Sequence, residues 1–431
     1  MASTSSALSE TSEVVKKKPP TLASILNQKN AQWYYSGQAI SLTGLMLRAA
    51  TLSLFLVALL GKQKAAPYIG IVWAANLLAG SFFGAMIGLF LDRVDKRRAL
   101  QITAVIGIVQ GLILAYLTRN GVHTSEQLKM SVVWEIITIT CIGCIPYAID
   151  GICRNAMVKD ALVDRDDHGL GAIIFNSLYN FGLIIGNGLA GLLVGSIGFA
   201  NLFLINAASY IVLIFALEKM DFTHLEPIPI WNGMIKEVNA GMRYTFGNPG
   251  IRICILLSCV VTVFGFAYNI LLAVINETMF NGGPKEFSYL GISAGLGSLV
   301  GSLFAVFYGS KNRKMTVIGA CLAIGIAHIV LAHTRNINVG SVLLFVSGVG
   351  FMCAFLPLRG ALMHLIEDRK RSSIVLGITF QFFFGGMMVS AFCSGYAAKH
   401  FGCPTVLQTC GIVLVLVGIV TPFLPGIKKI G

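Results

Sequence analysis

Gly88-Leu89-Phe90-Leu91-Asp92-Arg93-Val94-Asp95-Lys96-Arg97-Arg98 is where one apolar run ends, four cations and two carboxylates gather, and a second apolar run begins. Residues 68–91 before the turn and 99–117 after it contain no Lys, Arg, Asp or Glu. Each run is close to the roughly 20 residues that an α-helix needs to cross a hydrocarbon core of about 30 Å. A basic turn between two such runs defines a helical hairpin: the cations hold the turn on one face of the bilayer, and each helix satisfies its own backbone groups. The runs lack an alternation of period two and exceed the length of a barrel strand, so spanning helices are the element that fits.

Outward from that turn, apolar runs fall near 36–60, 68–91, 99–117, 131–152, 171–195, 200–217, 251–275, 287–308, 315–334, 339–363, 374–396 and 404–423, which predicts twelve spans. The composition agrees. Of 431 residues, 55% are hydrophobic and 12% charged, against about a quarter charged in a soluble domain, and mean hydropathy is +0.77. An ordinary soluble enzyme is excluded, and the expected fold class is an all-α integral membrane protein with twelve transmembrane helices in two six-helix halves. The longest hydrophilic stretch divides the spans six and six. The expected organisation is a disordered tail at 1–30, rich in Ser, Thr and Lys, a first half at 31–217, a linker at 218–250, a second half at 251–423 and a short tail at 424–431. Tyr308-Gly309-Ser310-Lys311-Asn312-Arg313-Lys314 closes the eighth span as the first turn closes the second, a weak parallel repeat.

The formal charge of +13 is distributed by side. The tails and even-numbered loops hold 23 of the 32 Lys and Arg residues, the opposite loops seven, and Arg48 and Arg359 fall inside spans. Both termini are therefore expected on the cytoplasmic side, and the basic balance needs no nucleic-acid partner. The ten cysteines sit almost all in apolar runs without disulfide or zinc spacing, and read as packing residues. No metal-ligand cluster and no G-x-x-x-x-G-K-[ST] loop occurs, so neither an enzyme nor a metal, cofactor or ATP site is expected, and secondary transport is the default.

Four stretches carry a family resemblance. Gly88, Asp92, Arg93, Lys96 and Arg97 follow the pattern G-x-x-x-D-R-x-G-R-R, with Asp95 in place of the glycine. Asn176-Ser177 leads into Gly182, Gly186-Asn187-Gly188-Leu189-Ala190-Gly191, followed by Phe203 and Asn206-Ala207. Ala240-Gly241-Met242-Arg243-Tyr244 precedes Asn248-Pro249, and Gly291, Gly295, Gly297 and Gly301 line the eighth span. Together they resemble the major facilitator superfamily, and within it the branch of bacterial drug and siderophore exporters that includes the enterobactin exporter. Asn187 stands where antiporters of the superfamily usually carry proline.

Candidate functional residues follow from charge inside apolar runs. Asp92 can accept hydrogen bonds from the N-terminus of the eleventh span near Ser373, while Lys96 or Arg97 reaches Asp150, giving a cytoplasmic latch of Gly88, Asp92, Arg93, Lys96, Arg97 and Asp150. Arg48 near the middle of the first span costs about 2.5–3.5 kcal/mol on insertion scales, so it is expected either to bind substrate or to pair with Glu135. Gly37, Ser41, Gly44 and Arg48 share one helical face. Glu135 is the expected proton-coupling carboxylate. Asn176, Asn180 and Asn187 fall within about 40° on the fifth span, and with Asn269 and Gln381 they suit either substrate recognition or helix association. Arg359, beside Pro357, adds a second cation to the expected substrate site. His328 reads as a satisfied packing residue.

These residues and the resemblance imply a monomeric secondary transporter of the bacterial inner membrane. The expected reaction is export of a siderophore or related organic anion by alternating access, coupled to protons. Uptake and multidrug efflux are the alternatives.

Overall fold

The computed structural model describes residues 22–62, 64–91, 93–120, 125–162, 167–221, 233–309, 312–366 and 372–424. Their helices are α1 (Leu22–Leu26), α2 (Lys29–Leu60), α3 (Ala65–Leu91), α4 (Lys96–Asn120), α5 (Glu126–Ile142), α6 (Cys144–Asp160), α7 (His168–Glu218) and α8 (Met234–Gly247). They continue with α9 (Pro249–Gly265), α10 (Ala267–Ile270), α11 (Leu272–Met279), α12 (Pro284–Phe304), α13 (Arg313–His333), α14 (Ile337–Leu365), α15 (Ser372–Phe401) and α16 (Cys403–Val420).

Ten helical segments among the described residues are long and apolar enough to cross a membrane, and the bent pair of α5 and α6 makes an eleventh. The 51-residue α7 is interrupted at Gly198 (φ 78°, ψ 169°), a conformation that glycine adopts without a Cβ clash. Divided there, it supplies two spans, so the architecture is compatible with the twelve expected. Helix begins inside the stretch read as a tail: Gln28 donates to Asp167 at 2.8 Å and Lys29 pairs with Asp221 at 3.1 Å. Residues 1–21 lie outside the described residues.

Local chemistry explains the breaks. Pro146 has no N–H for the Ile142 carbonyl and its ring crowds that oxygen, so α6 leaves α5 at 48°. Pro249 opens α9 behind Asn248, whose side chain accepts from the N–H groups of Gly250 and Ile251. Asp95, the residue standing in the glycine position of the turn, accepts from the N–H groups of Arg97 and Arg98 at 2.9 and 3.3 Å and so caps α4.

The apolar cores set the shape. One cluster draws on both halves, from Leu54, Phe55 and Val133 to Ile275, Phe287 and Leu407. It lies at the end marked by Lys62 and Lys64, called here the far end. Two further clusters lie at the opposite, terminal end: one is built by the first half around Tyr34, Cys153 and Leu217, the other mainly by the second half around Ile251, Cys321 and Leu358. The halves thus share one apolar cluster at the far end, whereas at the terminal end they have two, linked along α3, whose Ala85 and Leu89 pack into that of the second half. Their two long seams are α3 against α15 and α7 against α12. Small residues permit the approach. A Cβ on Gly70 would sit 2.3 Å from the Ala391 carbonyl oxygen, and one on Gly191 would sit 1.9 Å from that of Pro284.

Candidate functional site

Between the halves lies a cavity with about 1740 Å³ of empty space, its mouth included. Its walls differ in chemistry. The first half contributes Arg48, Asn76, Tyr147, Asp150, Arg154, Asn155 and Asn176; the second contributes Phe266, Phe351, Phe355, Phe380, Phe383, Phe384, Asn269 and Arg359. The aromatic wall is continuous: Phe266 meets Phe351 at 5.4 Å between centroids, Phe351 stacks on Phe355 at 6.2 Å, and Phe355 lies 4.5 Å from Phe383. Arg359 lies 4.8 Å over the Phe380 ring, a contact that suits a planar cation in an apolar wall.

Among the described residues, Asp150 and Arg154 form the most buried ion pair. One turn apart on α6, they pair through Nε and Oδ2 at 2.7 Å. Arg154, 1% exposed, donates also to Gln38 Oε1 at 2.5 Å and Ser41 Oγ at 2.9 Å on α2, and its backbone carbonyl accepts from the Tyr34 hydroxyl. Buried charges persist only with such partners, since an isolated ion in this environment costs several kcal/mol. Asp150 Oδ1 is buried with no hydrogen-bond partner among the described residues, in a side chain that lines the cavity. Arg48 donates from Nη1 to Gln110 Oε1 at 3.1 Å.

The expected residues separate into groups. Arg48, Asp150, Asn176, Asn269 and Arg359 line the cavity. Asn180 and Asn187 lie instead in the seam of α7 and α12: Asn180 donates to Ser302 at 3.4 Å, and the Asn187 carbonyl accepts from Ser288 at 3.1 Å. Gln381 lies in the other seam, donating to the Phe82 carbonyl at 3.2 Å. Asparagines sharing one helical face thus part company because the face runs from cavity to interface along its length.

Three contacts expected from the sequence are replaced by others. Glu135 is exposed on α5 and accepts from Ser131 at 3.0 Å; it neither lines the cavity nor pairs with Arg48. Lys96 pairs with Asp160 at 3.0 Å and Arg97 with Glu218 at 2.7 Å, whereas Asp150 faces Arg154. The basic turn therefore braces the first half, with Gly88 a Cβ contact of 4.0 Å from Gly377 across the seam and Arg93 half-buried. Asp92 lies outside the described residues. His328 is fully buried against the edge of Tyr268 at 5.6 Å between centroids, with neither ring nitrogen hydrogen-bonded.

Sequence reasoning missed Arg154, counted as a loop cation, and Gln110. The signal for Arg154 was its spacing of four from Asp150, which puts both on one helical face. Their charges ended the apolar run at residue 152, although α6 continues to Asp160.

Two helical halves around a central cavity are the major facilitator architecture. Residues 21–427 match the transmembrane secretion effector family of that superfamily, and the chain belongs to it: it is a membrane transporter. The multidrug efflux pump Tap of Mycolicibacterium fortuitum is 20% identical over 86% of this chain and 98% of its own. Macrolide efflux protein A of Streptococcus pyogenes is 24% identical over 92% and 96%. Among solved structures, a D-xylose-proton symporter superposes with a TM-score of 0.68 at 15% identity, covering 94% of this chain and 99% of that one. The nucleoside transporter NupG gives 0.65 at 16% identity over 93% and 100%.

Proposed function

We propose that the protein exports large, mostly apolar organic molecules that carry a negative or strongly electronegative group, in exchange for protons. The observation that carries this reading is the composition of the cavity. Three guanidinium groups, of Arg48, Arg154 and Arg359, stand against one carboxylate, Asp150, and six phenylalanines form the opposite wall. Arg154 is satisfied within the protein. Among the described residues Arg48 and Arg359 have no carboxylate partner, so either can take an anionic or acceptor group of the substrate through directed bonds that a guanidinium makes with little loss of hydration. Asp150 supplies the proton site in place of Glu135. A substrate hydroxyl or amine donating to Oδ1 stabilises the ionised carboxylate and so competes with a proton, which is the coupling that exchange requires.

The apolar cluster shared by both halves closes the far end, so access to the cavity is from the terminal end. With both termini cytoplasmic, as the distribution of Lys and Arg supports, this is the inward-open state of an inner-membrane protein, acting as a monomer. The basic turn with Asp92 then acts as a latch in the opposite state, when the terminal ends of the halves meet. A siderophore, implied by resemblance to the enterobactin exporter branch, is one anion of the proposed kind. The curated relatives are named for multidrug and macrolide efflux, which supports drug-type efflux as the broader class and export over uptake.

Cells with and without the protein are loaded with carboxyfluorescein, an aromatic anion, or ethidium, an aromatic cation, and dye release is followed with the proton gradient intact and collapsed. Gradient-dependent release of carboxyfluorescein, severalfold above control, is expected. Release of ethidium alone would overturn the anion preference and leave cation-type multidrug efflux.

A further inference from the structure

The bend of the fourth span is filled by a side chain from another helix. Gly143, at the junction of α5 and α6, leaves room for Gln110 of α4: a Cβ there would lie 1.7 Å from Gln110 Nε2. That amide donates to the Ile139 carbonyl at 3.1 Å, an oxygen already accepting from the Gly143 N–H at 3.0 Å. The other end of the same amide, Oε1, accepts from Arg48. One planar group therefore joins a cavity cation to the last turn of α5, immediately before the bend that redirects α6. The helix beyond the bend carries Asp150 and Arg154.

We propose that Gln110 is a positioning residue that reports occupancy of Arg48 to the bend at Gly143, and through it to Asp150; this rests on the reading of the cavity as a substrate site. The Arg48 guanidinium and the Ile139 carbonyl hold the amide from opposite ends. A substrate acceptor that takes the guanidinium withdraws one of those ends, and the amide loses its fixed orientation at the bend. Among the described residues the bend has no second anchor of this kind, and Pro146 has removed the hydrogen bond that would otherwise stiffen it. Its angle then changes at small cost, and the carboxylate about two turns further along α6 changes its exposure to the cavity. A ligand shifts such an equilibrium only by its differential affinity for the two states, and competition between ligand and Gln110 for one guanidinium supplies that difference.

The competition has a signature that a packing role lacks. In Gln110→Leu the substrate no longer displaces a protein acceptor from Arg48, so carboxyfluorescein should bind the purified full-length protein about threefold to tenfold more tightly, while proton-driven transport falls. Gln110→Glu keeps the acceptor and strengthens its hold on Arg48, so binding should weaken by a similar factor. Hydrogen–deuterium exchange of the peptide spanning 139–148 reads the bend directly. Exchange should rise when dye is added to the wild type, and should already be high without dye in Gln110→Leu and in Arg48→Ala. Weaker binding in Gln110→Leu, or wild-type exchange in ligand-free Arg48→Ala, overturns the relay. Absence of dye binding by the wild type overturns the substrate reading instead, and the ligand-free comparison then decides the relay alone.

Discussion

At the scale of single residues, the proposed coupling role of Asp150 and the structural role of Arg154 predict different losses. Asp150→Asn retains an acceptor for Arg154 but cannot ionise, so gradient-driven efflux should be abolished while exchange of dye down its own gradient persists. Equal survival of both fluxes in vesicles would place coupling elsewhere. Arg154→Gln leaves a buried carboxylate uncompensated, a loss of roughly 3–5 kcal/mol, to be seen as a fall in melting temperature and membrane abundance. Arg48→Lys keeps charge but loses the planar fork, and should cut transport about tenfold; Arg48→Gln should nearly abolish it. Arg48 was legible from sequence because it is a lone charge in an otherwise uncharged run. Glu135 was misread for a related reason: its depth along the chain marks it as intramembrane, but depth says nothing about which face of the helix it occupies. Arg154 was hidden because hydropathy treats a charged pair as the end of a span.

At the scale of helices, the apolar runs located nearly every span, but their breaks depend on contacts that the runs do not encode. The run at 251–275 is divided among α9, α10 and α11, and the divisions near Phe266 and Leu271 bring Phe266, Tyr268 and Asn269 to the cavity. The far-end closure is equally local. Lys62 donates to the Glu277 carbonyl at 3.2 Å and to Asn281 at 3.0 Å, joining the first half to the second. Burial raises the Glu277 carboxyl above its usual value, with Lys62 partly opposing the shift. A raised carboxyl binds its proton more tightly in the closed arrangement. Its contribution to closure is therefore complete below the ordinary carboxylate value and declines as pH rises through the raised one. Glu277→Gln should make far-end closure less sensitive to pH across that window, as read by hydrogen exchange in 272–279. The seams allow a sharper test of packing. Gly191→Ala should cost about 1–3 kcal/mol through overpacking against Pro284, measured by thermal melting. Gly195→Ala, where a Cβ meets nothing within 4 Å, should be neutral.

At the scale of the whole molecule, the charge distribution predicts that a C-terminal epitope is cleaved by added protease in inside-out vesicles and protected in right-side-out ones; the reverse pattern would invert the assignment of the open end. The two-half plan was legible because length and hydropathy alone define it, whereas the cavity was not, since it is assembled from residues hundreds of positions apart. Its two walls also bear on how such a protein diversifies. Arg48, Asp150 and Arg154 sit on the first half, whereas six of the seven lining phenylalanines belong to the second, with Phe266 between α9 and α10, Phe351 and Phe355 on α14 beside Arg359, and Phe380, Phe383 and Phe384 on α15. Substitutions that widen or reshape the aromatic wall can alter which compounds are recognised while leaving Asp150 and its partners untouched. The range of transported compounds can therefore broaden by mutation in one half, while the proposed coupling site in the other is left intact.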